Sequence, residues 1–411
     1  MIPSRRHIVN LSCWVSSVCL AAPLPAQDVP KTTLVHYMPW FASEPVSGYW
    51  GWHWTMGHFD PERLSDNGTR SVAAHDYPLI GPYDSSDPHA LECHLLLMKL
   101  SGIDGVIIDW YGIEDYRDYA AIHRNAGHLI EYIRKAGLRF AVCYEDQAVR
   151  HMMEGGVLQA EEDVAHGTEV LAWLQQNWFA DDAYLQVDGR PVLLVFGPQH
   201  FTEAEWVTMT AGLTPRPWLY ALPHLSRVAG ADGVFGWPPV YGGTEILPSV
   251  WRQYLADLYA RGQQGESVLA PVFPKYHDIY AEAGLHDSYG TIDARGGRTF
   301  QETLDRAWES PSPMIQIATW NDHGEGTAIE PTRTDGYRYL EMVQRKSIEA
   351  HEAFAFRADD LRLPVRLYEL RRQASDDTVA TRLLDRVSRL LFSADCEAAR
   401  ELLANAAIPP D

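Results

Sequence analysis

The sequence predicts an α/β protein built on a (β/α)8 TIM barrel with a helical C-terminal extension, and two observations carry that prediction. Eight apolar, β-branched or aromatic runs of strand length recur at residues 34–38, 105–109, 138–144, 191–196, 218–222, 233–237, 267–273 and 314–318. Helical segments lie between most of them, which implies a parallel sheet. Eight such units before about residue 320 match the roughly 250 residues of a TIM barrel with insertions.

The punctuation between the runs supports each unit in turn. Asp87 and Pro88 read as the N-cap and first residue of a helix that places Leu91, Leu95 and Met98 on one face and closes at Gly102. Thr202 with Glu205 forms a capping box for a later helix. The helix expected between the fifth and sixth strands is short. From Gly336 the pattern turns wholly helical, over residues 337–354 and then, past Leu363-Pro364, with Leu370, Leu383, Val387, Leu390 and Leu391 in amphipathic spacing. The start differs in kind: Arg5 and Arg6, an apolar stretch over residues 8–22, and a small-residue ending at Ala26 read as a cleavable secretory signal. The expected organisation is therefore a signal at 1–26, a catalytic barrel at 27–345 and a helical extension at 346–411, with a secreted or periplasmic product and no membrane-spanning segment after cleavage.

The formal charge is −21, and removing residues 1–26 takes away two arginines and no acid. Such a balance disfavours nucleic acid and anionic lipid as partners and suits a neutral, hydroxyl-rich polysaccharide or oligosaccharide. Oligomeric state is silent. Cys93, Cys143 and Cys396 each sit in an apolar segment and read as buried thiols.

Barrel enzymes deliver their chemistry from the C-terminal ends of the strands. Strand one ends at Tyr37-Met38-Pro39-Trp40 and leads to Trp50, Trp52 and Trp54. Strand two ends at Asp109-Trp110-Tyr111 and strand three at Glu145-Asp146. Strand seven is followed by Tyr276-His277-Asp278, and strand eight by Trp320-Asn321-Asp322-His323-Gly324-Glu325. Aromatic faces pack on the C–H faces of sugars while carboxylates and amides meet the hydroxyls. Glycoside cleavage needs two acids, and Asp322 and Glu325 are near enough for one glycine-containing turn to aim both at one bond. The same pair read structurally would cap the next helix; Asp109 and Glu145 are as well explained by barrel polar pairing as by substrate binding. The Trp50, Trp52, Trp54 spacing favours one stacking face of an extended segment over a core plug. No paired metal-ligand spacing occurs, and neither metal nor cofactor is expected.

The segment from Ile315 to Glu325 resembles the strand-eight motif of glycoside hydrolase family 71, the α-1,3-glucanases. Glu325-Gly326-Thr327-Ala328-Ile329-Glu330-Pro331 resembles family 99, the endo-α-mannosidases and endo-α-mannanases. The family 99 likeness continues through His36-Tyr37-Met38-Pro39-Trp40, Tyr83-Asp84-Ser85-Ser86-Asp87-Pro88, Tyr276-His277-Asp278 and Arg295-Gly296-Gly297. It implies a retaining glycosidase in which Asp322 assists the substrate 2-hydroxyl and Glu325 serves as general acid and then base. Glu145, Trp110 and Tyr111 would border the same sugar. One departure stands out: family 99 usually has Glu-Trp-His-Glu where this chain has Asp322-His323-Gly324-Glu325, one methylene shorter at the first acid. The resulting expectation is an exported, endo-acting, retaining hydrolase of an α-linked glycan. Its catalytic residues are Asp322 and Glu325, and its substrate contacts are Tyr37, Trp54, Asp109, Trp110, Tyr111, Glu145, Tyr276, Asp278, Trp320 and Asn321. The alternative is a carbohydrate-binding barrel of weak or no turnover.

Overall fold

The computed structural model describes residues 31–374 and 378–405, so the expected signal segment lies outside the described residues. All eight predicted strands are present: β1 (Thr32–Tyr37), β2 (Gly105–Trp110), β3 (Arg139–Tyr144), β4 (Arg190–Val195), β5 (Trp218–Ala221), β6 (Gly233–Phe235), β7 (Ser267–Val272) and β8 (Met314–Ile317). They pair in parallel in the order β3-β2-β1-β8-β7-β6-β5-β4, and β3 pairs with β4 through Val142 and Leu193 to close the barrel.

Every strand is buried on both faces, and the two faces belong to different cores. Leu34, Ile107, Ala141, Cys143, Val192, Leu194, Tyr220, Phe235, Leu269 and Met314 fill the barrel interior. Their immediate neighbours, including Val35, Val106, Ile108, Val142, Leu193, Ala270 and Ile315, pack outward against the helices. This is the two-residue period of a strand applied around a closed sheet. All three predicted thiols are free and buried.

The helices that cover the barrel are α1 (Pro88–Ser101), α2 (Tyr119–Ala136), α3 (Asp163–Asn177), α4 (Glu203–Thr210), α5 (Pro248–Gln263) and α6 (Arg298–Glu309). The predicted caps form: Asp87 accepts the His89 N–H at 2.8 Å, Gly102 ends α1 at φ +86°, and Thr202 with Glu205 closes a capping box on α4. Between β5 and β6 there is no helix. Leu225 N–H bonds to Leu222 O and Val228 N–H to Leu225 O, so Pro223 to Gly230 makes consecutive tight turns in a connection too short for a longer helix. A small sheet of Thr244–Glu245, Gly290–Ile292 and Tyr276–His277 stands beyond the end of β7.

After β8 come α7 (Arg338–Ala350), α8 (Leu363–Gln373), α9 (Thr378–Phe392) and α10 (Cys396–Asn405). The boundary expected at 345/346 falls inside α7. Leu384, Val387 and Leu391 form the buried stripe of α9. The junction of α8 with α1 contains a buried ion pair, Arg371 Nε to Glu92 Oε2 at 2.6 Å and Nη2 to Oε1 at 3.1 Å, with Ser388 Oγ also donating to Glu92. Among the described residues no helix is long and apolar enough to cross a membrane.

Arg371→Ala leaves the Glu92 carboxylate buried without its cation, and we expect it to cost about 3–5 kcal/mol. Urea titration of parent and variant measures this; superimposable midpoints would refute the claim that this pair fastens the C-terminal helices.

Candidate active site

The two-residue period that fills the barrel also builds the floor of a cleft at its C-terminal end. Two residues beyond the inward Leu34, Ile107, Cys143, Leu194, Tyr220 and Phe235 come His36, Asp109, Glu145, Phe196, Leu222 and Trp237. All six line one cavity of about 720 Å3. The loops after β7 and β8 add Tyr276, Tyr280, Tyr289, Asp322 and Glu325, while Trp40, Tyr111 and Gln147 close another side.

The turn after β8 is held from several directions. Asp322 N–H donates to Thr319 Oγ1 at 2.8 Å, and Asp322 Oδ1 accepts the Glu325 N–H at 2.9 Å, fixing the two acids relative to each other. His277 N–H reaches Glu325 O and Ile279 N–H reaches Gly324 O, both at 2.9 Å. Gly326 has φ +67°, and a Cβ there would come within 2.6 Å of the His277 carbonyl oxygen, so only glycine fits. Gly324 keeps an ordinary φ; its constraint is the methyl of Met56, 2.7 Å from where a Cβ would stand.

Four carboxyls, those of Asp109, Glu145, Asp322 and Glu325, share this cleft, and among the described residues no lysine or arginine lines it. Burial, with the Asp322 carboxyl beside it, pushes Glu325 up to about 8. Tyr276 Oη donates to Glu325 Oε1 at 3.0 Å and Trp237 Nε1 to Oε2 at 3.2 Å, which moderates the rise. Burial also raises Asp322, Asp109 and Glu145; Asp322 adds to the effect on Asp109, and Asp109 to that on Glu145. Gln147 Nε2 donates to Glu145 Oε2 at 2.7 Å. Burial lowers His36 to about 3, so it presents a neutral imidazole.

Behind the cleft lies a second, differently charged network. Glu330 is buried, yet His94 and His323 outweigh the burial and hold its carboxyl down to about 2. His323 Nε2 stands 2.5 Å from Oε1, His94 Nε2 3.0 Å from Oε2, and Tyr83 Oη donates to Oε1 at 2.8 Å. Tyr37 Oη bonds His94 Nδ1 at 3.0 Å. Asn321 donates to Tyr83 Oη and to Met38 O, both at 3.0 Å, and accepts the Met38 N–H at 2.8 Å, which ties the end of β1 to the end of β8.

The predicted residues therefore divide. Asp109, Tyr111, Glu145, Tyr276, Asp322 and Glu325 meet in the cleft. Tyr37 and Trp110 do not, because each has the opposite parity to the inward residues of its strand and faces the helix layer, where Trp110 Nε1 bonds His123 at 3.1 Å. Trp54 is also a correction: Trp52–Thr55 is a helical turn, not an extended segment. Its indole is fully buried against Phe41 and His323 and donates to Tyr83 O at 2.8 Å, a core plug with no surface for a sugar. Trp320 and Asn321 are fully buried supports of the turn. Asp278 stands behind the wall, accepting the Tyr289 N–H at 2.9 Å and the Ser288 hydroxyl at 3.0 Å, and so positions the cleft-lining Tyr289. His36, Phe196 and Trp237 went unrecognised although the same alternation points to them.

Parallel barrels that gather paired carboxyls and aromatic walls at this end include many glycoside hydrolases, and several similar proteins carry such names. No family model matches the chain. A human glycoprotein endo-alpha-1,2-mannosidase-like protein is 28% identical over 360 residues, 78% of this chain and 74% of that protein. A mutanase of Penicillium rubens is 25% identical over 177 residues, 40% of this chain and 36% of that protein. The GH99 endo-alpha-mannosidase of Bacteroides thetaiotaomicron shares the fold with a TM-score of 0.60 at 17% identity, over 78% of this chain and 98% of that one. The chain is thus similar over more than three quarters of its length to an endo-alpha-mannosidase-like protein and shares the fold of a GH99 endo-alpha-mannosidase.

A carboxyl raised in the folded state makes stability fall as pH rises. Above about pH 4.5 the unfolded chain releases the Glu325 proton while the folded chain retains it, until about pH 8. Glu325→Gln removes this burden, so thermal melts should show the variant gaining on the parent between pH 5 and pH 8, by about 1–3 kcal/mol at the upper end. A pH-independent difference would show that Glu325 titrates normally.

Proposed function

We infer that the protein is an exported hydrolase of an α-linked glycan, endo-acting and retaining, with Glu325 as general acid/base and Asp322 as its partner. The observation that carries this is the pairing of a carboxyl pushed up to about 8, and so protonated at neutral pH, with a second carboxyl locked to its backbone in an aromatic-walled cleft. A protonated Glu325 can give its proton to the leaving glycosidic oxygen, and the resulting carboxylate, held by Tyr276 and Trp237, can then deprotonate the incoming water. Asp322, in the role the family 99 resemblance implies, draws the proton from the sugar 2-hydroxyl as that oxygen attacks the anomeric carbon, and returns it to the same oxygen when water breaks the new bond. Asp109 and Glu145, with Gln147, offer hydrogen bonds to the remaining hydroxyls.

Endo action is supported by the continuation of the groove on two sides. Tyr241 and Tyr289, 59% and 50% exposed, mark one margin, while beyond Trp40 and Tyr111 a further cavity opens towards Trp52. Export rests on the arginine-apolar-small pattern of residues 1–26. The α-linkage rests on the mannosidase and mutanase names of the relatives.

The test is product analysis with residues 27–411 on α-mannan, α-1,3-glucan and other α-glycans. We expect an oligosaccharide ladder with the α-anomer formed first by NMR. Glu325→Gln and Asp322→Asn should each lower the rate by about 10²–10⁴. Activity should decline as pH rises through about 8, because the acid form of Glu325 is lost. Both variants turning over at the parental rate would remove these acids from the mechanism; glycan binding without product would leave a binding barrel.

A further inference from the structure

The cleft continues into a second cavity of about 990 Å3 that shares the Trp40, Tyr111 and Gln147 walls. The two differ in sign. Among the described residues, the cleft holds four carboxyls and no lysine or arginine, whereas the second cavity is lined by Arg117, Arg124, His53, His128 and His151 against a single carboxylate, Asp118. That carboxylate is already engaged, 3.3 Å from His53 Nε2. In a chain of formal charge −21, two arginines and three imidazoles gathered in one concavity are conspicuous.

Their setting favours a ligand over a structural duty. Arg134, Arg190 and Arg261 are each anchored to a carboxylate within 2.8 Å. Arg117 and Arg124 are exposed, and neither is in a salt bridge among the described residues; Arg117 lies over the Tyr116 ring, meets the hydroxyls of Tyr116 and Tyr119, and acts on Asp118 only at longer range. Arg124 projects from the face of α2 that also carries Ala121, Asn125 and His128 into the cavity. Trp52, 48% exposed, offers an aromatic platform at the same cavity, and His53 lies flat on Trp40 with ring centroids 4.1 Å apart.

We propose that this cavity is a subsite for an acidic substituent, a carboxylate or a phosphate ester, carried by a sugar flanking the bond that is cleaved. A guanidinium meets either group with two parallel N–H donors, and the nearby imidazoles supply further donors. The cleft offers the same substituent no guanidinium and repels it wherever a carboxyl there is ionised, so the groove accepts an anionic glycan in one register: neutral sugar over Asp322 and Glu325, charged sugar beyond Trp40. The proposal rests on the glycan reading above and adds the charge of the substrate to it.

Calorimetric titration of residues 27–411 with mannose, mannose 6-phosphate and glucuronate at low ionic strength tests it. At least one of the two anionic sugars is expected to bind about tenfold or more tightly than mannose, and to lose that advantage as salt is added. Whichever sugar shows it names the substituent. Arg124→Gln combined with Arg117→Asn, asparagine suiting the left-handed backbone at φ +52°, should bring the anionic sugar down to the level of mannose. Arg124→Gln alone, on an exposed helix face, serves should the double variant misfold. Anionic sugars binding no better than mannose, or an advantage that survives the arginine variants, would overturn the subsite. Charge-dependent binding in a protein that cleaves no glycan would support the subsite and refute the hydrolase reading instead.

Discussion

The alternation of side chains along eight parallel strands governs this molecule. Once Leu34, Ile107, Cys143, Leu194, Tyr220 and Phe235 point inward to fill the barrel, the residue two further along each strand must point the same way. At the C-terminal rim there is no further layer to fill, and that residue becomes cleft floor: His36, Asp109, Glu145, Phe196, Leu222 and Trp237. Packing in the core and placement of functional groups are one constraint seen at two heights. A one-residue slip in β2 would exchange Asp109 for Trp110 in the cleft and press a carboxyl into the helix layer.

The polar network around Glu330 makes that floor usable. The barrel alone leaves the turn after β8 free to vary. Asn321 fastens it to β1 through both backbone groups of Met38, and Glu330, held ionised by two imidazoles, anchors the far side of the turn through His323. Among the described residues no imidazole bonds to the cleft carboxyls in this way, and burial raises them instead. Glu330 and Glu325, five residues apart and both buried, thus shift in opposite directions because one touches two imidazoles and the other stands beside a further carboxyl.

Much of this was legible in the sequence. Strand composition, the Asp87 and Thr202 caps and the spacing of eight units define the barrel, and the rule that chemistry sits at strand ends selects Asp109, Glu145, Asp322 and Glu325. What failed were the aromatics. Tyr37, Trp54, Trp110 and Trp320 are as close in sequence to the rim as Tyr111 and Trp237, and composition cannot separate an indole that plugs a core from one that faces a ligand. Parity separates them for the strand residues, since Trp110 falls out of phase with Ile107 and Asp109. Trp54 needed the helical turn at Trp52–Thr55, which its every-second-residue spacing disguised. The missing helix between β5 and β6 was obscured for a similar reason: a run of tight turns has the composition of a short helix.

A cleft that contains four carboxyls and, among the described residues, no lysine or arginine can act as a proton reservoir. Its charge is set by the number of protons the group holds together, and the titration belongs to the cluster more than to any one acid. A ligand carrying an ammonium group in place of a ring oxygen would supply the cation the protein lacks and drive protons off the cluster as it binds. Its binding enthalpy would then depend on the heat of ionisation of the buffer that takes up those protons, whereas a neutral sugar occupying the same space would leave the buffer almost untouched. The arrangement that keeps Glu325 ready to donate a proton also lets the site distinguish a charged sugar mimic from the sugar by proton release alone.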